Sequence, residues 1–114
     1  MQKYELYLNQ ILENIEKIES SLKGKNKVDL EKEGILRDAT YMRIQVIGEN
    51  INKIPSKIKK IYPEVKWERI KDSRDIISPA YVRVNINIIW DLIKIELPKL
   101  KKVTEYLLRK LKEE

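Results

Sequence analysis

The chain has 114 residues and a mass of 13.6 kDa, enough for one hydrophobic core and not for two, so a single domain over residues 1–114 is expected. Apolar residues make up 42% and charged residues 37%, which favours folding over disorder, and 24 basic against 18 acidic residues leave a net charge of +6. There is no histidine and no cysteine, which excludes disulfides, thiolate chemistry, histidine acid–base catalysis and every Cys or His metal site.

The first helix is written in Tyr4, Leu8, Ile11, Ile15, Ile18 and Leu22, whose 4-3-4-3-4 spacing draws one apolar stripe. The stripe stops at Gly24, a suitable C-terminal cap before a polar stretch. A second helix of about 27 residues is expected from Val28 to Pro55, where the residue before proline leaves the α region. Ile35, Ala39, Met42 and Val46 share one face of it, and Leu36, Ile47, Ile51 and Ile54 continue the apolar surface beside that face. Ser56 to Tyr62 gives one or two helical turns, and Trp67 to Ile77 a short third helix. Val82, Val84, Ile86 and Ile88 alternate as in a strand. The preferred reading is nevertheless a loop and then a helix, because Ile86, Ile89, Ile93 and Leu97 have helical spacing and Asn85 can cap it. Pro98 opens or kinks a last helix with Leu100, Val103, Leu107 and Leu111 inward. The class is all-α, an antiparallel bundle of four long helices plus short helical pieces. No apolar run exceeds three residues, so no membrane span and no signal core can be built, and a cytoplasmic location is expected.

With neither Cys nor His, chemistry falls to Asp, Glu, Arg, Lys, Tyr and Ser. Gly48 interrupts a helical pattern at a cost of roughly 1 kcal/mol against alanine, which points to a close approach of another backbone. Glu49 then lies beside that contact, either as a site carboxylate or as a solvent-facing side chain. Arg74 and Tyr81 are seven residues apart and would share one face of an unbroken helix, where an arginine can grip a phosphate. Ser78-Pro79 interrupts such a helix, so an Arg74-Asp75 surface pair followed by a proline-started turn is the competing reading. Trp90 on an apolar face reads as core rather than as a cofactor platform. Gly24, Gly34 and Gly48 are isolated, which makes no phosphate loop. Neither Asp38 with Glu49 nor Asp72 with Asp75 has a metal-binding spacing, so no metal and no cofactor is expected.

The order of the motifs resembles a known family. Ile47-Gly48-Glu49 on a long helix, Tyr62-Pro63-Glu64-Val65-Lys66-Trp67, Arg74-Asp75, Tyr81, Ile89-Trp90 and Leu97-Pro98-Lys99-Leu100 follow one another as in the HepT-like branch of the HEPN superfamily. These are small all-helical toxins of HEPN–MNT toxin–antitoxin pairs, and the resemblance runs from about Leu30 to Leu107. It implies a homodimer whose interface cleft is a metal-independent endoribonuclease site, and a partner of the minimal nucleotidyltransferase (MNT) type. The family signature is an Arg, four residues, a His, one residue and a Tyr. Arg74 stands at the Arg and Tyr81 at the Tyr; Asp75 meets the Asp or Asn that follows the Arg. The His position holds Pro79, and the usual Gly between His and Tyr is Ala80.

That departure has a chemical consequence. Metal-independent RNA cleavage needs a base for the 2′-hydroxyl and an acid for the leaving 5′-oxygen, a role a near-neutral group fills with about 10²–10⁴-fold effect. Proline transfers no proton, and a tyrosine hydroxyl titrates near pH ~10. Arg74 can still stabilise phosphate charge. The expectation is a ribonuclease scaffold with little or no ribonuclease activity. Tyr81 is kept, and by resemblance it is either an acceptor for AMP delivered by the nucleotidyltransferase or a structural residue of the cleft. Two other readings stay open: a dimer that binds RNA or a nucleotide without cutting it, and a purely structural helical adaptor.

Overall fold

The computed structural model describes residues 3–77 and 84–113, the side chains of Asp75 and Ile76 excepted, and every regular element among them is helical. Helix α1 spans Lys3–Ser21. Its stripe is core: Leu8, Ile11, Ile15 and Ile18 are fully buried, Leu22 nearly so, and Tyr4 packs at the edge. The heptad seam of this helix is thus used within the chain. Gly24 ends the segment at φ +77°, the left-handed turn that glycine adopts without strain.

The second helix is divided, where an unbroken one was expected. Asn26 opens α2 (Lys27–Lys32) with a capping box: its Oδ1 accepts from the Asp29 N–H, and Asp29 Oδ2 accepts from the Asn26 N–H, both at 2.9 Å. Glu33 then leaves the helical region (φ −83°, ψ 97°), and α3 begins afresh over Gly34–Asn52. Glu33 serves both helices at once. Its N–H donates to the Asp29 carbonyl and its carbonyl accepts from the Arg37 N–H, each at 2.8 Å. Lys25 Nζ holds its carboxylate at 3.1 Å.

The expected inward face of this region is also corrected. Ile35 is 90% exposed and Met42 61%, whereas Thr40, Ile44, Ile47, Gly48 and Ile51 are buried. The reason is packing. The line through Ile44, Ile47 and Ile51 offers three large aliphatic groups, each worth about 1.5–3 kcal/mol when buried. Thr40 and Gly48 on the same side are small enough to let neighbours close in. The Thr40 hydroxyl is satisfied locally, donating to the Leu36 carbonyl at 2.7 Å.

Helix α4 (Ser56–Ile61) is followed by a tight connection in which the Trp67 indole donates to the Tyr62 carbonyl at 3.0 Å. Helix α5 spans Trp67–Ile77 and α6 spans Ile86–Asp91. Asn85 caps α6 as expected, accepting from the Asn87 N–H at 2.9 Å, and the described part of the alternating Val82–Ile88 stretch is no strand. Leu92–Glu96 forms a wide π-helical turn that leads into α7 (Leu97–Lys112). The Leu97 N–H reaches back five residues to the Leu92 carbonyl. Pro98 supplies the cause: its ring would clash with the carbonyl four residues back and it has no N–H to offer it.

Helix α3 packs against α1 and α5, and α1 packs against α7, so the four longer helices lie in the order α5–α3–α1–α7. No helix among the described residues is long and apolar enough to cross a membrane.

Candidate active site

The site candidates that can be placed meet where α3 crosses α5. Gly48 makes the crossing close. A methyl group built on it would stand 3.3 Å from the Lys71 carbonyl oxygen and 3.6 Å from Arg74 Cβ. Alanine or anything larger would therefore push on the α5 backbone itself. Gly48 thus works by absence of bulk, and the stem of Arg74 lies against it. One residue further along α3, Glu49 Oε1 accepts a hydrogen bond from Arg74 Nη1 at 3.1 Å. The arginine head is 29% exposed and the carboxylate 60%, so the pair sits at the surface with the guanidinium open on one side. Gly48, Glu49 and Arg74, singled out from separate parts of the sequence, form one cluster.

Asp75 follows Arg74 in the last turns of α5, with only its backbone described. Pro79 and Tyr81 lie outside the described residues. The geometry of the whole signature is thus known at its arginine end.

The surroundings of Arg74 are basic but largely paired. Lys71, one turn before it, bonds Glu68 at 2.7 Å, which holds the Lys71 ammonium above its usual range and the Glu68 carboxyl below its own. Burial pushes Lys59 down, and the charge of Lys71 acts in the same direction. Arg74 is thus the cation in this cluster with a planar fork available to a bidentate anion, provided Glu49 yields. No group of three or more acidic side chains that could hold a metal ion occurs among the described residues.

A second polar feature was not singled out as chemistry from the sequence. Glu96, in the wide turn, is 5% exposed; its Oε2 lies 3.6 Å from Arg69 Nη1, and its Oε1 has no hydrogen-bond partner among the described residues. Its position was visible in principle, since Ile89, Ile93, Glu96 and Leu97 fall on one helical face. Arg69 and Glu96 tie α5 to the wide turn, and so fix the helix that carries Arg74 from its other side.

Comparison with known proteins agrees with this arrangement of motifs. The family described as "Ribonuclease HepT-like" matches residues 11–107. A Methanocaldococcus jannaschii protein named "Gamma-glutamylcyclotransferase and putative RNase" is 38% identical over 96 residues, covering 84% of this chain and 43% of its own length. The chain thus spans under half of that relative. A "Putative RNase" of Caldanaerobacter subterraneus is 32% identical over 91% of this chain and 93% of its own. A "Probable ribonuclease HepT" of Thermococcus cleftensis is 31% identical over 83% and 86%. No solved structure matches the chain. The match over residues 11–107 and the near full-length relatives place this chain in the HepT-like ribonuclease family.

Proposed function

We propose that this chain is the toxin-type member of a toxin–antitoxin pair whose ribonuclease site is impaired, and that it holds RNA backbone at Arg74 without efficient cleavage. The observation that carries the reading is the contrast at the signature. Arg74 is retained and positioned by Gly48 and Glu49, while Pro79 stands at the His position and no histidine occurs in the sequence. A guanidinium stabilises the charge of a phosphate, but cleavage at neutral pH also needs a proton acceptor and donor near their working pKa. Two copies would form the cleft, a nucleotidyltransferase of the minimal type would be the partner, and Tyr81 would be its AMP acceptor.

The test is a paired assay of the protein and its Pro79→His variant on labelled single-stranded RNA in EDTA, scored for 2′,3′-cyclic phosphate ends. Cleavage by the variant alone is the expected result. Cleavage by the unaltered protein overturns impairment and shows that another residue moves the proton. Cleavage by neither shows a site that has drifted beyond one residue. A non-catalytic RNA-binding dimer then becomes the better account; its affinity would fall steeply with salt.

A further inference from the structure

The side of α3 opposite its core line has no partner within the chain. Ile35, Ala39, Met42 and Val46 follow one another at spacings of 4, 3 and 4, a straight apolar line three turns long. Ile35 and Met42 stand out in solvent, and Ala39 and Val46 are half-buried between them. A groove of about 530 Å³ opens beside the N-terminal end of the line, between α3 and Ser21 at the end of α1. At its other end the line runs into Glu49, seven residues after Met42, and so into the carboxylate that holds Arg74.

We propose that this face of α3 is the seam between two copies of the chain, packed antiparallel across a two-fold axis. The proposal rests on the two-copy reading above for its occupant, while the face is argued from α3 alone. Charge selects the occupant. A molecule of net charge +6 repels its own copy, so self-association needs a face from which that charge is missing. Of eighteen lysines none lies in α3, whereas α1, α5 and α7 all carry them. The two arginines and two acids of α3 balance, and each is already engaged within the chain. Arg37 holds Asp38 at 3.4 Å, Arg74 holds Glu49 at 3.1 Å, and Arg43 donates to the Lys17 carbonyl and the Ser21 hydroxyl. A partner recruited by opposite charge would seat on the lysine-bearing helices instead.

Symmetry then acts on the site. In an antiparallel two-fold pair, like edges of the two helices lie side by side. Glu49 flanks the line on one edge, so both Glu49–Arg74 pairs open along the same edge of the seam. The second copy brings a second Arg74 to the cleft, and one copy alone has half of it. One helix face with its groove is small against the ~800 Å² per partner of a standard interface, which sets a dimer that dissociates in the micromolar range.

Sedimentation velocity on the full chain between about 2 and 200 μM tests the proposal. The expected result is a shift from the 13.6 kDa chain to twice that mass. Met42→Glu and Ile35→Glu place a charge in the seam and should each weaken association about 100-fold. Both sites are solvent-exposed, so unchanged helical circular dichroism is expected of both variants. Ile95→Glu, at an exposed apolar residue of the wide turn, should leave association alone. A monomer at every concentration, or a dimer that survives both α3 variants, overturns the proposal. So does a monomer that instead forms a one-to-one complex with a nucleotidyltransferase through Met42. RNA cleavage plays no part in this measurement, so the Pro79→His assay can fail while the seam stands, and the reverse.

Discussion

Before Arg74 grips a phosphate it must leave Glu49. The pair is too exposed to matter much for folding; ion pairs of this kind contribute about 0–1 kcal/mol. Its weight falls on binding, because the carboxylate competes with any anion for the same guanidinium. Glu49→Gln is therefore expected to change stability by less than about 1 kcal/mol, measured by thermal melting. The same variant should tighten single-stranded RNA binding by roughly 3–10-fold and steepen the salt dependence by about one phosphate contact. Weaker binding by Glu49→Gln would mean that the carboxylate aims Arg74 at RNA rather than masking it. The pairing itself was not legible in the sequence. Residues 49 and 74 are 25 positions apart, and only the crossing of α3 on α5 brings them together. Gly48 was legible, because a glycine in a helical run has a cost that some contact must justify.

Two glycines of α3 separate what an element requires from what it merely contains. Gly34 stands at the start of the helix at an ordinary φ, and a methyl group there would meet only the far end of Arg37 at 3.7 Å. Gly34→Ala is expected to raise stability by about 0.5–1 kcal/mol, since alanine restricts the unfolded chain and favours the helix. Gly48→Val should lower it by about 2–3 kcal/mol, because the added bulk meets the Lys71 backbone and pushes α5 away. A pair of urea denaturation curves checks both signs, and a gain from Gly48→Val would show that α5 yields freely. At this scale periodicity served well where one stripe was present, as in α1 and α7. It served badly in α3, which carries two apolar lines on opposite sides; local sequence holds nothing that says which of them a neighbouring helix will cover. The division at Glu33 escaped for a related reason. Neither proline nor a strong cap marks it, and Glu33 is held by hydrogen bonds to both flanking helices and by Lys25.

For the molecule as a whole, the missing histidine governs the response to pH. Burial holds the hydroxyls of Tyr41 and Tyr62 above the ordinary 10.0. Hydrogen bonds to Glu68 and Glu19 hold Lys71 and Lys101 above 10.5. A folded pKa above the unfolded one gives stability that is complete below the unfolded value and fades as pH rises through the folded value. These four groups therefore destabilise the fold above about pH 10, with the lowered Lys59 acting weakly against them. Glu68, held below 4.5, has the opposite sign and contributes only above its own range. Every shift lies outside the neutral region. The melting temperature should therefore stay level within ~2 °C from pH 6 to 9 and drop beyond 10; a slope at pH 6–7 would reveal a perturbed carboxylate. The lysine-free stretch of α3 has a consequence of another kind. Acetylation removes one positive charge per lysine, so a fully acetylated chain would carry net negative charge on its other long helices while Gly34–Asn52 kept its composition unchanged. A chemical history written in amines would leave this one surface blank, and an amine-reactive tether would fasten the molecule with α3 facing out.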